Sequence, residues 1–276
     1  MTARTNPVPG IEMRRCTRFD DPVTDSHPAL TTPFDRIAFD CDSTLSRIEG
    51  LEELARLDAA VRGLNGGGAD RARELRELTD AAMSGRVPLQ EVYSRRLALV
   101  APRRNEVATL GRRYIEQAVP QARETFGALR DLGKELVIVS GGLRLAVTAF
   151  GQWLGVPDRN VFAVAAWFDG SGALTHIDTR SPLVRSGGKR EVVAGWPARR
   201  TAFVGDGITD AETLGVADTF ICFAGVVHRP AVAARASAVV QTPDLGGILP
   251  LVCTDAELDR LRRDSRYRAL VEPALG

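Results

Sequence analysis

Lysine is almost absent. Of 36 basic residues only Lys134 and Lys189 are lysine, so arginine writes nearly every positive charge. The formal net charge is +1, which leaves no overall basic field to draw in nucleic acid. The densest cluster, Arg71–Arg76, carries Glu74 and Glu77 beside it, the pattern of a solvated helix face. Cysteines are few. Cys16, Cys41, Cys222 and Cys253 show no C-x-x-C spacing, which speaks against a zinc site or a disulfide framework. Reduced thiols in a cytoplasmic protein are expected. No apolar run approaches the roughly 20 residues of a membrane helix, so no membrane partner is expected. The three histidines, His27, His176 and His228, are scattered and receive no catalytic part.

What is present divides the chain. Residues 1–32 hold Pro7, Pro9, Pro22 and Pro28, mixed charge and no apolar h-region, and are expected to form a flexible tail rather than a secretory signal. Glu12, Asp20, Asp21 and Asp25 argue against a transit peptide. Beyond the tail, short apolar runs read as buried strands: Arg36–Asp40, Glu135–Ser140, Arg200–Asp206, Thr219–Phe223 and Ala236–Val240. Helical patterns lie between them, at Gln121–Leu132, Leu143–Leu154 and Lys189–Ala194. Alternating strands and helices predict an α/β protein with a parallel sheet.

One interval breaks the alternation. From Glu49 to Val119 only helical periodicity is found, over Glu49–Leu57, Ala69–Ser84, Leu89–Val100 and Arg104–Ala118. This predicts a small all-helical domain over 49–119, inserted into a core formed by 33–48 and 120–252. Residues 253–276 are expected to be a helical extension, opened by the capping-box pattern T-D-A-E from Thr254.

Three strands end in small polar residues: Asp40, Ser140 and Asp206. Ligands of open parallel sheets bind beyond the carboxyl ends of the strands, so D-C-D-S-T, S-G-G and G-D-G-I-T-D should converge. The site would then hold Asp40, Asp42, Asp206 and Asp210. A single Asp after a strand is commonly a helix cap, but four at three converging ends exceed what capping needs. Clustered carboxylates repel, and a hard cation such as magnesium would join them. Ser140 and the backbone at Gly141 suit an anion. Lys189, after Gly187-Gly188 in a chain with one other lysine, suits phosphate better than a plain surface lysine would. Lys134, in a helix-to-strand turn, reads as an ordinary solvent-exposed cation.

In this order D-C-D-S-T, S-G-G, G-G-K and G-D-G-I-T-D resemble the four motifs of the haloacid dehalogenase superfamily. They span Asp40 to Asp210, and the helical insert resembles the cap of its C1 class. The resemblance implies a Rossmann-like parallel sheet flanked by helices. It implies Asp40 as nucleophile, passing through an aspartyl phosphate, and Asp42 as acid and then base. It also implies Mg2+ held by Asp40, the Asp42 main-chain carbonyl and Asp206, with Asp210 supporting, and phosphoryl oxygens held by Ser140, Gly141 and Lys189. The second acid, Asp42, separates the chain from the dehalogenases.

S-R-I-E-G-L-E-E-L-A, A-M-S-G-R-V-P-L, Y-S-R-R-L-A-L-V and S-G-G-K are further similar to the phosphoserine phosphatases. That likeness implies O-phosphoserine as the small phosphomonoester. Glu49 would face its ammonium, Arg96 its carboxylate, and Met83 and Thr209 would stand beside it. Alone, Glu49 also reads as a helix-start acid favoured by the dipole, and Arg96 as an exposed helix arginine. Leu89 departs from the family's phenylalanine, and Cys41, between the two acids, reads as a buried small residue. Another small phosphomonoester, phosphotransfer to an acceptor alcohol, and a non-catalytic binding role stay open, as does a homodimer.

Overall fold

The computed structural model describes residues 32–62 and 67–272, the side chains of 58–62 and 67–72 aside. The tail expected over 1–32, apart from Thr32, lies outside the described residues, as do Cys16 and His27. Among the described residues no helix is long and apolar enough to cross a membrane.

The chain enters β1 (Arg36–Phe39), then leaves the sheet for four consecutive helices, α1 (Gly50–Arg62), α2 (Gly67–Met83), α3 (Leu89–Val100) and α4 (Arg104–Glu116). These are the helical cap. It returns through α5 (Ala122–Asp131) to β2 (Glu135–Leu143), α6 (Arg144–Leu154), β3 (Val161–Val164) and a short hairpin, β4 (Ala166–Phe168) and β5 (Leu174–Ile177). Then come α7 (Gly188–Ala194), β6 (Thr201–Gly205), α8 (Ile208–Ala211), β7 (Thr219–Phe223), α9 (Pro230–Ala233) and β8 (Ala238–Val240). The chain closes with α10 (Leu249–Val252), α11 (Asp255–Arg263) and α12 (Arg268–Val271).

Among the described residues six strands form one sheet in the order β3-β2-β1-β6-β7-β8. Each recorded strand pairing in it is parallel. The strands are near-continuous apolar runs because both faces are covered. On one face Ile37, Phe39, Ile138, Val204 and Phe223 pack with Phe126 and Phe150 of α5 and α6. On the other, Ala38, Val139, Phe203 and Cys222 pack with Val193 of α7 and Ala211 of α8. The sheet order places the ends of β1, β2 and β6 side by side.

Four features differ from the sequence reading. Ser140 does not end its strand: β2 runs on through Gly141 and Gly142 to Leu143, and α6 begins only at Arg144, so S-G-G is strand rather than helix start. β3 and the β4–β5 hairpin lie in a stretch given no element, being short and half-buried, with the hairpin paired apart from the main sheet. Among the described residues the C-terminal extension is two helices after α10, the first capped by the Thr254–Glu257 box as its pattern predicts. Lys134 is not a solvent-exposed cation: only 6% of it is exposed. Its Nζ donates to the Phe34 carbonyl at 3.0 Å and to Glu257 at 2.8 Å, tying the β2 entrance to α11.

Candidate active site

Asp40 stands at the end of β1, its backbone N–H donating to the Val204 carbonyl of β6 at 2.9 Å. The chain then turns tightly. Leu45 and Ser46 both donate to the Cys41 carbonyl, and Ser43 takes a left-handed φ of 53°. This curl turns the Asp42 carboxylate toward the cap, where its Oδ1 accepts the Gly50 N–H at 3.1 Å and the Tyr114 hydroxyl at 2.6 Å. It also brings the Thr44 hydroxyl to Asp206 Oδ1, at 3.1 Å. Cys41 is fully buried, and that burial raises its thiol pKa.

At the end of β6, Asp206 and Asp210 come together because the chain folds back after Gly205. Asp210 Oδ2 accepts the Gly207 N–H at 2.8 Å. A Cβ on Gly205 would collide with the Asp210 side chain, so this position needs glycine. Lys189 enters from the start of α7. Its Nζ lies 2.6 Å from Asp40 Oδ1 and 2.6 Å from Asp210 Oδ1. Gly188 before it is packed so closely on the Pro182 carbonyl that no Cβ fits.

The carboxylates are paired but not neutralised. Asp40, Asp206 and Asp210 are buried, with ligand atoms within 4.8 Å of one another. Burial pushes Asp210 up to about 7 despite Lys189, and burial together with Asp40 also raises Asp206. Burial depresses Lys189, but Asp210 and Asp40 raise it by more, so it stays charged. Three hard oxygen donors whose charge is expensive to bury fit a divalent cation such as magnesium. The Asp42 carboxylate is not in this cluster; burial, then Glu49, pushes it up to about 8 against the Tyr114 hydrogen bond.

A pocket lies between cap and core, lined by Asp40, Asp42, Lys189 and Asp206 below and by Glu49, Met83 and Arg96 above. Thr209, Gly141 and Leu89 also line it, whereas Ser140 is 1% exposed and lies behind the lining. Glu49 accepts the Ser43 hydroxyl at 2.8 Å. Arg96 is buried on α3, not an exposed helix arginine, and its Nε has no hydrogen-bond partner.

Four residues were not foreseen. Arg229 donates through Nε to Asp206 Oδ2 at 3.2 Å and through Nη1 to Asp80 of α2 at 3.0 Å. Tyr93 donates to the Gly141 carbonyl at 2.9 Å. Tyr114 holds Asp42, and Thr44 holds Asp206. Thr44 had a signal, as the last residue of D-C-D-S-T. The tyrosines had none beyond apolar helix positions, and Arg229 was one arginine among many.

The model of the haloacid dehalogenase-like hydrolases matches residues 37–215. Phosphoserine phosphatase of Rattus norvegicus is 33% identical over 214 residues, covering 74% of this chain and 89% of that protein. A solved phospho-aspartyl intermediate analogue of phosphoserine phosphatase superposes with a TM-score of 0.65 at 26% identity, over 80% of this chain and 100% of that one. A substrate-bound phosphoserine phosphatase complex gives 0.66 at 25% identity, again over 80% and 100%. The sheet order, the converging motifs and these likenesses agree: the chain belongs to the haloacid dehalogenase-like hydrolases and, among them, to the phosphoserine phosphatase family.

Proposed function

We propose that the protein hydrolyses O-phosphoserine to serine and phosphate. Arg96 is the observation that carries this reading. A buried guanidinium whose Nε lacks a partner is costly unless a ligand supplies an acceptor, and a carboxylate does so in bidentate fashion. Glu49, on the same pocket, offers a matching acceptor to an ammonium. With its phosphate at Asp40, an amino acid bearing a phosphorylated hydroxyl answers all three groups.

The chemistry follows from the groups present. A carboxylate oxygen of Asp40 attacks phosphorus as the bond to the serine oxygen breaks, and Asp42 gives that oxygen its proton. Asp42, now ionised, takes a proton from the water that hydrolyses the aspartyl phosphate. Lys189 and the Gly141 backbone face the phosphoryl oxygens. Magnesium would be held by Asp40, Asp206 and the Asp42 main-chain carbonyl, with Asp210 supporting, and would supply further positive charge there. The cap over 49–119 shuts water from the leaving group. The buried free thiols Cys41, Cys222 and Cys253 support a cytoplasmic setting.

A panel of phosphomonoesters with magnesium tests this. O-phosphoserine should be the preferred substrate and Asp40→Asn inactive. Broad release from other monoesters without O-phosphoserine would overturn the reading. Leu89, which departs from the phenylalanine that the family resemblance implies, favours a different small phosphomonoester as the second reading. Adding acceptor alcohols to the same panel separates hydrolysis from phosphotransfer.

A further inference from the structure

Tyr114 belongs to the cap helix α4, yet its hydroxyl meets the catalytic loop. The residue is fully buried, and its ring stacks on Phe150 of α6 with centroids 5.7 Å apart. Its O–H donates to Asp42 Oδ1 at 2.6 Å, and the Gly50 N–H donates to that same oxygen. Among the described residues no hydrogen bond reaches Asp42 Oδ2, and Asp42 lines the pocket. The hydroxyl is wedged so closely against Gly50 that a Cβ there would strike it. Ring and hydroxyl are therefore fixed by packing on both sides.

We infer that Tyr114 is a positioning residue for proton transfer: by occupying Asp42 Oδ1, it reserves Oδ2 for the leaving oxygen. A carboxylic acid with two donors on one oxygen must carry its own proton on the other. With Oδ1 turned toward Tyr114 and Gly50, Oδ2 is the oxygen left for the substrate. Proton transfer is sensitive to such placement, since a misdirected acid loses its catalytic advantage. The inference rests on the reading of Asp42 as the acid.

The ratio of kcat/KM for O-phosphoserine to that for p-nitrophenyl phosphate tests it. Nitrophenolate leaves without protonation and a serine hydroxyl does not. Tyr114→Phe keeps the ring and its stacking. It should lower kcat/KM for O-phosphoserine by about tenfold or more and leave the nitrophenyl ester within about twofold. Asp42→Asn should shift the ratio the same way, and Gly50→Ala, which displaces the hydroxyl but keeps the N–H, gives the reading if Tyr114→Phe does not fold. An unchanged ratio in the Tyr114 or Gly50 variant, or equal losses on both esters, overturns the inference. If wild-type protein releases no phosphate from O-phosphoserine, or Asp42→Asn leaves the ratio unchanged, the reading of Asp42 fails first and Tyr114 falls with it.

Discussion

Asp80 of the cap and Arg229 of the core are joined at 3.0 Å, and the same guanidinium grips Asp206 at 3.2 Å. A carboxylate expected to hold the cation is thereby tied to the end of α2. Met83, one turn further along α2, packs near Gly207 in the loop that carries Asp206. The cap thus reaches the loop that carries Asp206 and Asp210 directly.

Removing that tie should loosen the cap without damaging the chemistry. The Asp80 side chain is 51% exposed, so solvent screening limits the pair to about 1 kcal/mol or less. Asp80→Asn should raise KM by up to about fivefold and leave kcat within about twofold. Hydrogen exchange along α2 should quicken, and added salt should move the wild type in the same direction. A large fall in kcat would contradict this.

Arg96 should decide selectivity. Losing a charge-assisted contact to the substrate carboxylate costs about 1.5–3 kcal/mol, or roughly ten- to a hundredfold in kcat/KM for O-phosphoserine with Arg96→Ala. p-Nitrophenyl phosphate, which has no carboxylate, should be nearly unaffected. Equal losses on both esters would mean that Arg96 serves only to fold the cap.

Magnesium should stabilise the protein more at high pH than at low pH. Burial raises Asp206, and brings Asp210 to about 7, above their unfolded values. A raised carboxylate pKa means that the folded state binds more protons, so stability of the cation-free protein falls as pH rises from about 4 to about 7. The cation binds the ionised carboxylates and offsets that loss. Melting curves in chelator and in magnesium should converge near pH 5 and separate near pH 8. Parallel curves would show that the carboxylates do not hold the ion.

Gly205→Ala should disable cation binding from behind. Asp210 is fully buried and held by Lys189 and the Gly207 N–H, so it cannot yield to a new methyl group cheaply. Overpacking of this kind costs about 1–3 kcal/mol in stability, and the displaced carboxylate should weaken magnesium-induced stabilisation. A variant with wild-type stability and the same response to magnesium would show that Asp210 has room to move.

Much was legible because it is local. A parallel strand buried on both faces must be a short apolar run, and a site at its carboxyl end must follow it directly; Asp40 and Asp206 obey that rule. The helical insert declared itself by period alone. The short half-buried strands β3, β4 and β5 did not, because a few residues of mixed exposure carry no period. The burial of Lys134 is not legible locally, because its partner Glu257 lies 123 residues away.

The amino-acid sequence by itself determined the strand-end carboxylates, their lysine and the cap that covers them, since each is written in contiguous residues whose chemistry is specific. Only the tertiary structure decided which oxygen of Asp42 is occupied, that Arg96 is buried with an unpartnered Nε, and that Arg229 spans Asp206 and Asp80. Those facts depend on where α2, α3 and α4 settle over the sheet. In sequence, a tyrosine or an arginine on a helix looks the same whether it meets solvent, core or a reacting group.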